Sequence, residues 1–186
     1  EYPLACSPDR VRPGDVLVAM ASSGLHANGY SLVRRIVFDV AGWELDRQVA
    51  ELGRTLGEEL LEPTRIYAQD CLAVAAATEV HAFAHVTGGG LAANLARVLP
   101  AGVGATIDRS SWRPPAIVDV LAGAADVEQP ELERTLNMGV GMVAVLAPPA
   151  VDTALNLLAE RGVTAWVAGE LHPGDGSVRL HGAYAG

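Results

Sequence analysis

The sequence predicts an α+β fold, a layered α/β domain in which a mixed β-sheet is flanked by helices. Three observations predict it. Short apolar runs of strand length alternate with segments whose apolar residues recur at helical spacing. Glycine-rich turns follow at least two of the strand runs, as expected where a chain leaves a sheet for a packed helix. Half of the 186 residues are hydrophobic and 19% are charged. That is enough apolar surface for one compact domain, and too little charge for a disordered or coiled-coil chain.

The elements follow in order. Residues 15–21 (DVLVAMA) are an apolar run after the Pro13–Gly14 turn and read as a strand. Residues 30–41 carry Leu32, Val33, Ile36, Val37 and Val40 at helical spacing, with Arg34 and Arg35 on the other face. The stretch 42–54 gives no clear signal. A short helix is expected over 55–61, and a longer one over 66–77 with Thr64 as its N-cap. Residues 81–86 (HAFAHV) read as a strand, 91–98 as a helix and 102–107 as a strand. Pro114 and Pro115 open a helix through Leu121, where proline fits best. A short helix at 130–136, a strand at 140–147 and an amphipathic helix at 149–161 follow, the last closed by Gly162. Strands at 164–169 and 178–181 complete the chain.

The formal net charge is −9. An acidic field of this size argues against nucleic acid and anionic membrane as partners. A phosphate ligand would have to be held by local backbone amides and a few arginines. Cys6 and Cys71 form no metal-ligand pattern and fit a reducing compartment. No apolar run reaches the length of about 18 residues that a membrane helix needs, and no signal peptide is apparent, so the expected location is cytoplasmic. The chain opens on Glu1, and residues 1–14 read as a linker or an incoming strand from a longer protein, with the domain proper over 15–186.

Two polar loops stand out. Residues 22–31 (SSGLHANGYS) place two serines, a histidine, an asparagine and two glycines between a strand and a helix. Ser22, Ser23 and Asn28 bring hydrogen-bonding groups, Gly24 a tight backbone, and His26 a group able to donate, accept or carry charge near neutral pH. Residues 85–97 (HVTGGGLAANLAR) set Thr87, Gly88, Gly89 and Gly90 between a strand and a helix, where a bare backbone can approach an anion. The spacing is neither a Walker motif nor a dinucleotide fingerprint. A turn built for packing explains three glycines equally well. Both loops follow strand C-termini, where open α/β sheets bind ligands. Asp70 and Glu79 read as solvated, Asp108 as a cap, Asn137–Met142 as close backbone packing, and the three tryptophans as core or edge. No metal-ligand cluster and no Ser/His/Asp constellation is apparent.

Five blocks occur in order: 9–15 (DRVRPGD), 21–34 (ASSGLHANGYSLVR), 63–67 (PTRIY), 85–90 (HVTGGG) and 137–142 (NMGVGM). Together they resemble the C-terminal domain of the aminoimidazole ribonucleotide synthetase, or phosphoribosylformylglycinamidine cyclo-ligase, family of purine biosynthesis. Related enzymes include formylglycinamidine ribonucleotide synthetase, selenophosphate synthetase and thiamine-monophosphate kinase. Ala27 stands where the family usually has serine, so position 27 is not expected to touch ligand.

The resemblance implies an ATP-dependent ring closure of formylglycinamidine ribonucleotide. It implies ATP and Mg2+ as cofactors, their ligands lying mainly in an N-terminal domain that is not part of this sequence. It implies a nucleotide substrate and a homodimer. It also makes His26 the candidate catalytic residue, as proton carrier or electrostatic stabiliser, and Ser22, Ser23, Gly24, Asn28, Thr87, Gly88, Gly89 and Gly90 the candidate substrate-binding residues. A binding module without catalysis, using the same two loops, is the competing reading.

Overall fold

A computed structural model describes residues 7–186. Six strands form one mixed sheet: β1 (Val16–Ala21), β4 (Val80–His85), β5 (Val103–Asp108), β6 (Val140–Leu146), β7 (Ala165–Pro173) and β8 (Val178–His181). Their spatial order is β4-β6-β1-β7-β5-β8. Neighbours are antiparallel except β5 and β8, which are parallel. A two-stranded ribbon, β2 (Gln48–Val49) with β3 (Arg54–Thr55), stands apart.

The sheet is buried on both faces, and the period-2 alternation shows how. Leu17 and Ala19 of β1 join Val143 and Val145 of β6 in one cluster, against Leu91 and Leu95 of helix α4 (Gly90–Ala96). Val18 and Met20 join Ala144 and Leu146 in a second. Helices α3 (Ala68–Ala77) and α7 (Val151–Glu160) cover that second face through Val74, Ala154 and Leu158. A third cluster takes no residue from the six-stranded sheet, its one strand residue being Val49 of β2. Val33 of α1 (Tyr30–Arg34), Ile36 and Val37, and Leu56 of α2 (Leu56–Leu60) meet Ile117 and Leu121 of α5 (Ala116–Ala125) and Leu132 of α6 (Gln129–Thr135). This helical annex lies beside the polar loops.

The mixed sheet with flanking helices agrees with the sequence prediction, and four details differ. The helix expected over 30–41 is α-helical only to Arg34 and continues as a π-helix over Arg35–Val40. Thr64 caps nothing. α3 starts at Ala68 after Tyr67, because 63–67 is held in place by tertiary bonds: Ser23 Oγ donates to Pro63 O at 2.7 Å, and Arg65 N donates to Ser23 Oγ at 3.1 Å. The ribbon β2–β3 fell in the stretch without a signal, its strands too short to carry alternation. β7 runs on to Pro173 because β5 offers it a partner as far as Val103.

Asp70 is buried rather than solvated, and Arg161 Nε donates to its Oδ1 at 2.7 Å. The described part of 1–14 holds a 3-10 turn at Pro8–Arg10, and Val11 inserts into the first cluster. Residues 1–6, including Cys6, lie outside the described residues. Among the described residues no helix is long and apolar enough to cross a membrane.

Candidate functional site

Strand order decides where the polar loops go. β1 and β4 both pair antiparallel with β6, so they run parallel to each other. The C-termini of β1 and β4 and the N-terminus of β6 therefore share one end of the sheet. The loops after Ala21 and after His85, and the turn before Val140, meet there. Asn28 Nδ2 reaches Val86 O at 3.5 Å, and Ser22 N donates to Gly139 O at 2.9 Å.

In the first loop each predicted polar group is engaged within the protein. Ser22 Oγ donates to Gly24 O at 2.8 Å, and Ser23 Oγ holds the 63–67 segment as described. His26 is buried, 4% exposed, with a left-handed backbone at φ 57. Its Nε2 accepts the Ser23 backbone N–H at 3.1 Å, so the neutral ring carries its proton on Nδ1, which is buried without a partner. Burial, and then the neighbouring His85, lower its pKa from the ordinary imidazole range. The structure thus presents a neutral imidazole that shapes the Ser22–Gly24 turn.

Tyr67 lies against His26, with ring centroids 6.0 Å apart, and donates its hydroxyl to Ala21 O at 2.7 Å. Burial pushes the Tyr67 phenol up. A Cβ on Gly141 would come 2.0 Å from Tyr67 Oη and 2.7 Å from His26 Cε1. The glycine of the fifth block is therefore what lets both rings settle on β6.

In the second loop Asn94, 4% exposed, acts as a clamp. Its Nδ2 donates to Thr87 O (3.1 Å), Gly88 O (3.3 Å) and Gly90 O (2.7 Å), while its Oδ1 accepts from Thr87 Oγ1 and Arg97 NH1, each at 3.0 Å. In a planar trans peptide the N–H points opposite to the C=O. With the Thr87 and Gly88 carbonyls turned onto Asn94, the N–H groups of Gly88 and Gly89 point away from it, and both glycines are exposed. Gly90 differs. It is buried, and a Cβ there would lie 1.8 Å from Glu133 O.

Both loops rest on the end of α6. Gly29 faces Thr135 and Leu136, and Gly90 faces Glu133. Asn137, 1% exposed, donates to Gly24 O at 2.8 Å and accepts from Gly139 N at 2.8 Å. Glu133 is fixed in turn by Arg109, whose Nε and NH2 meet its two oxygens at 2.7 and 2.9 Å, and by Tyr184 and Gln129.

A cleft of 350 Å3 opens on Ser22, Ser23 and Gly24, and its other wall carries Glu51, Arg54 and Glu59. Those three residues, with Asn94 and Asn137, went unnoticed in the sequence. Asn94 and Asn137 sit beside glycines that drew the attention, Glu51 and Arg54 belong to the stretch 42–54 without a clear signal, and Glu59 lies in the short helix expected over 55–61. Among the described residues no group of three or more His, Cys, Asp or Glu side chains could hold a metal ion.

Residues 12–181 match the family described as AIR synthase related protein, C-terminal domain. A Streptomyces fradiae protein that carries the name phosphoribosylformylglycinamidine cyclo-ligase is 63% identical over 161 residues, 87% of this chain and 88% of that protein. The phosphoribosylformylglycinamidine cyclo-ligase of an Anaeromyxobacter species is 50% identical over 167 residues, 89% of this chain but 48% of its own length. The chain thus spans about half of that relative. Among solved structures, thiamine-monophosphate kinase from Stenotrophomonas maltophilia superposes with a TM-score of 0.65 at 20% identity, over 97% of this chain and 54% of that one. The E. coli hydrogenase maturation protein HypE does so at 0.61 and 20%, over 97% and 50%. At these identities the two structures speak for the fold alone.

Proposed function

The chain belongs to the AIR synthase related protein family as a C-terminal domain, and on that premise we propose that it is the substrate-binding half of a phosphoribosylformylglycinamidine cyclo-ligase of purine biosynthesis. The reaction closes the imidazole ring of formylglycinamidine ribonucleotide. The γ-phosphoryl group of ATP goes to the formyl amide oxygen, an amidine nitrogen attacks the carbon that bears it, and phosphate departs with that oxygen. The working enzyme is a cytoplasmic homodimer in this reading.

The observation that carries the reading is the convergence of the two polar loops at one sheet end, bridged by Asn28 and Val86. The exposed N–H groups of Gly88 and Gly89 suit the ribose phosphate, since backbone amides hold an anion without lysine and so act within a protein of net charge −9. The turn Ser22–Gly24, with Asn28, faces the formylglycinamidine end. Thr87 keeps the glycine turn in shape through Asn94, and Gly90 fixes the turn against α6. Bound together, the two ends set the attacking nitrogen near the carbon, which needs an approach of about 3–3.5 Å.

His26 remains the candidate catalytic residue and works as a neutral imidazole. It holds the Ser23 amide through Nε2, and its Nδ1–H is buried without a partner, so its role in this reading is that of a hydrogen-bond donor and electrostatic stabiliser rather than a proton carrier. ATP supplies the phosphoryl group. The described residues offer Mg2+ no cluster of ligands, so no step here runs through the metal.

Calorimetry of this chain with formylglycinamidine ribonucleotide tests the reading. Saturable binding that ribose 5-phosphate competes away is expected, and absence of binding at millimolar substrate overturns it. In the full-length enzyme, His26→Ala is expected to lower turnover while the protein remains folded. Unchanged turnover removes His26 from catalysis.

A further inference from the structure

Ring closure has to move a proton. An amidine is protonated at neutral pH, and its nitrogen has no lone pair to attack with until that proton leaves. A base within reach of the amidine therefore belongs to the reaction.

Most groups near the two polar loops are already engaged. The Nε2 lone pair of His26 is taken by the Ser23 amide, and its Nδ1 carries a hydrogen. Tyr67 donates its hydroxyl to Ala21 O at 2.7 Å, and burial pushes the phenol up. Glu59 and Glu62 are held by Arg54, and Glu133 by Arg109. Carboxylates as a class are weaker bases than imidazole by about a hundredfold, which sets Glu51 behind a histidine.

His85 differs. It ends β4, and Val86 beside it accepts Asn28 Nδ2 at 3.5 Å, so it stands where the two polar loops meet. It is exposed and forms no hydrogen bond or ion pair among the described residues. Its ring centroid lies 6.3 Å from that of Tyr67, which in turn lies 6.0 Å from that of His26. The register pairs His85 with Met142, next to Gly141, the glycine on which Tyr67 and His26 settle. His26 is the buried member of this group of rings and His85 the open one. The two imidazoles are near enough for charge on His85 to lower the pKa of His26. A proton gained at His85 therefore keeps His26 neutral.

We propose that His85 is the general base of the ring closure and takes the proton that leaves the amidine nitrogen. This rests on the reading given under Proposed function. The freed lone pair bonds to the carbon that bears the phosphate, and the carbon–oxygen bond breaks. Phosphate leaves with that electron pair and takes up the proton that the new ring sheds on becoming aromatic. The His85 imidazolium then returns its proton to solvent, which reaches the exposed ring.

Turnover of the full-length enzyme tests this. His85→Ala is expected to lower kcat about a hundredfold or more, with KM within about threefold of wild type. Imidazole added to the buffer is expected to restore His85→Ala about tenfold, and triazole, a ring of the same size and lower basicity, to restore it less. A side chain that only filled space would be replaced by either ring. Unchanged kcat in His85→Ala, absent rescue, or equal rescue by the two rings overturns the assignment of the base while the cyclo-ligase reading stands. If the wild-type enzyme does not turn over formylglycinamidine ribonucleotide, that reading fails, and the base assignment with it.

Discussion

Three consecutive glycines serve either as a packing device or as a place where a ligand meets the backbone, and the structure divides the roles by position. A Cβ on Gly90 would sit 1.8 Å from Glu133 O and 2.9 Å from Glu133 C. Both are backbone atoms, and Arg109, Tyr184 and Gln129 hold that residue from the other side. Gly90 also has φ +73. Placing alanine in left-handed backbone costs roughly 1–2 kcal/mol, and displacing a packed helix end adds about 1–3 kcal/mol. Gly90→Ala should therefore destabilise by about 2–5 kcal/mol, a fall in Tm of roughly 4–20 °C for a domain of this size. Gly88 is neither left-handed nor crowded, with nothing within 4 Å of an added Cβ. Gly88→Ala should stay within about 0.5 kcal/mol of wild type while binding of ribose 5-phosphate falls tenfold or more, because the methyl group stands where the ligand approaches. Differential scanning calorimetry reads the first quantity and titration calorimetry the second. A Gly90→Ala protein melting within 2 °C of wild type would refute the packing argument. A Gly88→Ala protein that binds unchanged would refute ligand approach at this turn.

Three other outcomes are expected. The folded-state pKa of His26 is lowered, so its stabilising contribution is full above the ordinary imidazole value of about 6.5 and is lost as pH falls from there toward the folded value. Urea melts at pH 7.5 and 5.5 should show His26→Gln losing less stability on acidification than wild type, and parallel losses would remove the linkage. His81 donates through Nδ1 to Asp15 Oδ2 at 2.7 Å, both side chains being 1% exposed. His81→Leu removes the buried donor to Asp15, which keeps the Arg12 backbone N–H at 3.0 Å and the Arg12 guanidinium at 3.8 Å, and should cost about 1–3 kcal/mol by denaturant unfolding, whereas a cost below about 0.5 kcal/mol would mean that the pair contributes little. Asn94→Ala removes the clamp on three carbonyls, at a cost of about 1–3 kcal/mol, and should speed hydrogen exchange at Gly88 and Gly89 more than at Ser23, while equal rates would show that Asn94 does not hold the turn.

Much of this molecule was legible in advance. The α+β architecture and most of its strands and helices came from periodicity, which survives folding because a sheet buried on both faces still alternates between two clusters. The two polar loops came from composition, since clustered glycine, serine and asparagine mark chain that cannot be an element interior. Helix starts fared less well. Thr64 is a good cap by local chemistry, and it lost to the hydrogen bonds that tie 63–67 to Ser23.

The sequence by itself determined which segments alternate, which turns are rich in hydrogen-bonding groups, and which family the blocks resemble. Tertiary structure alone decided that β1 and β4 run the same way on either side of β6, so that loops some sixty residues apart meet. It also decided that His26 is sealed and neutral, that Asn94 and Asn137 hold the turns, and that Glu51–Glu59 walls a cleft. The physical reason is that these are long-range relations. Burial, strand direction and the partner of a side-chain amide depend on which distant segment packs against it, and no local pattern of residues carries that information.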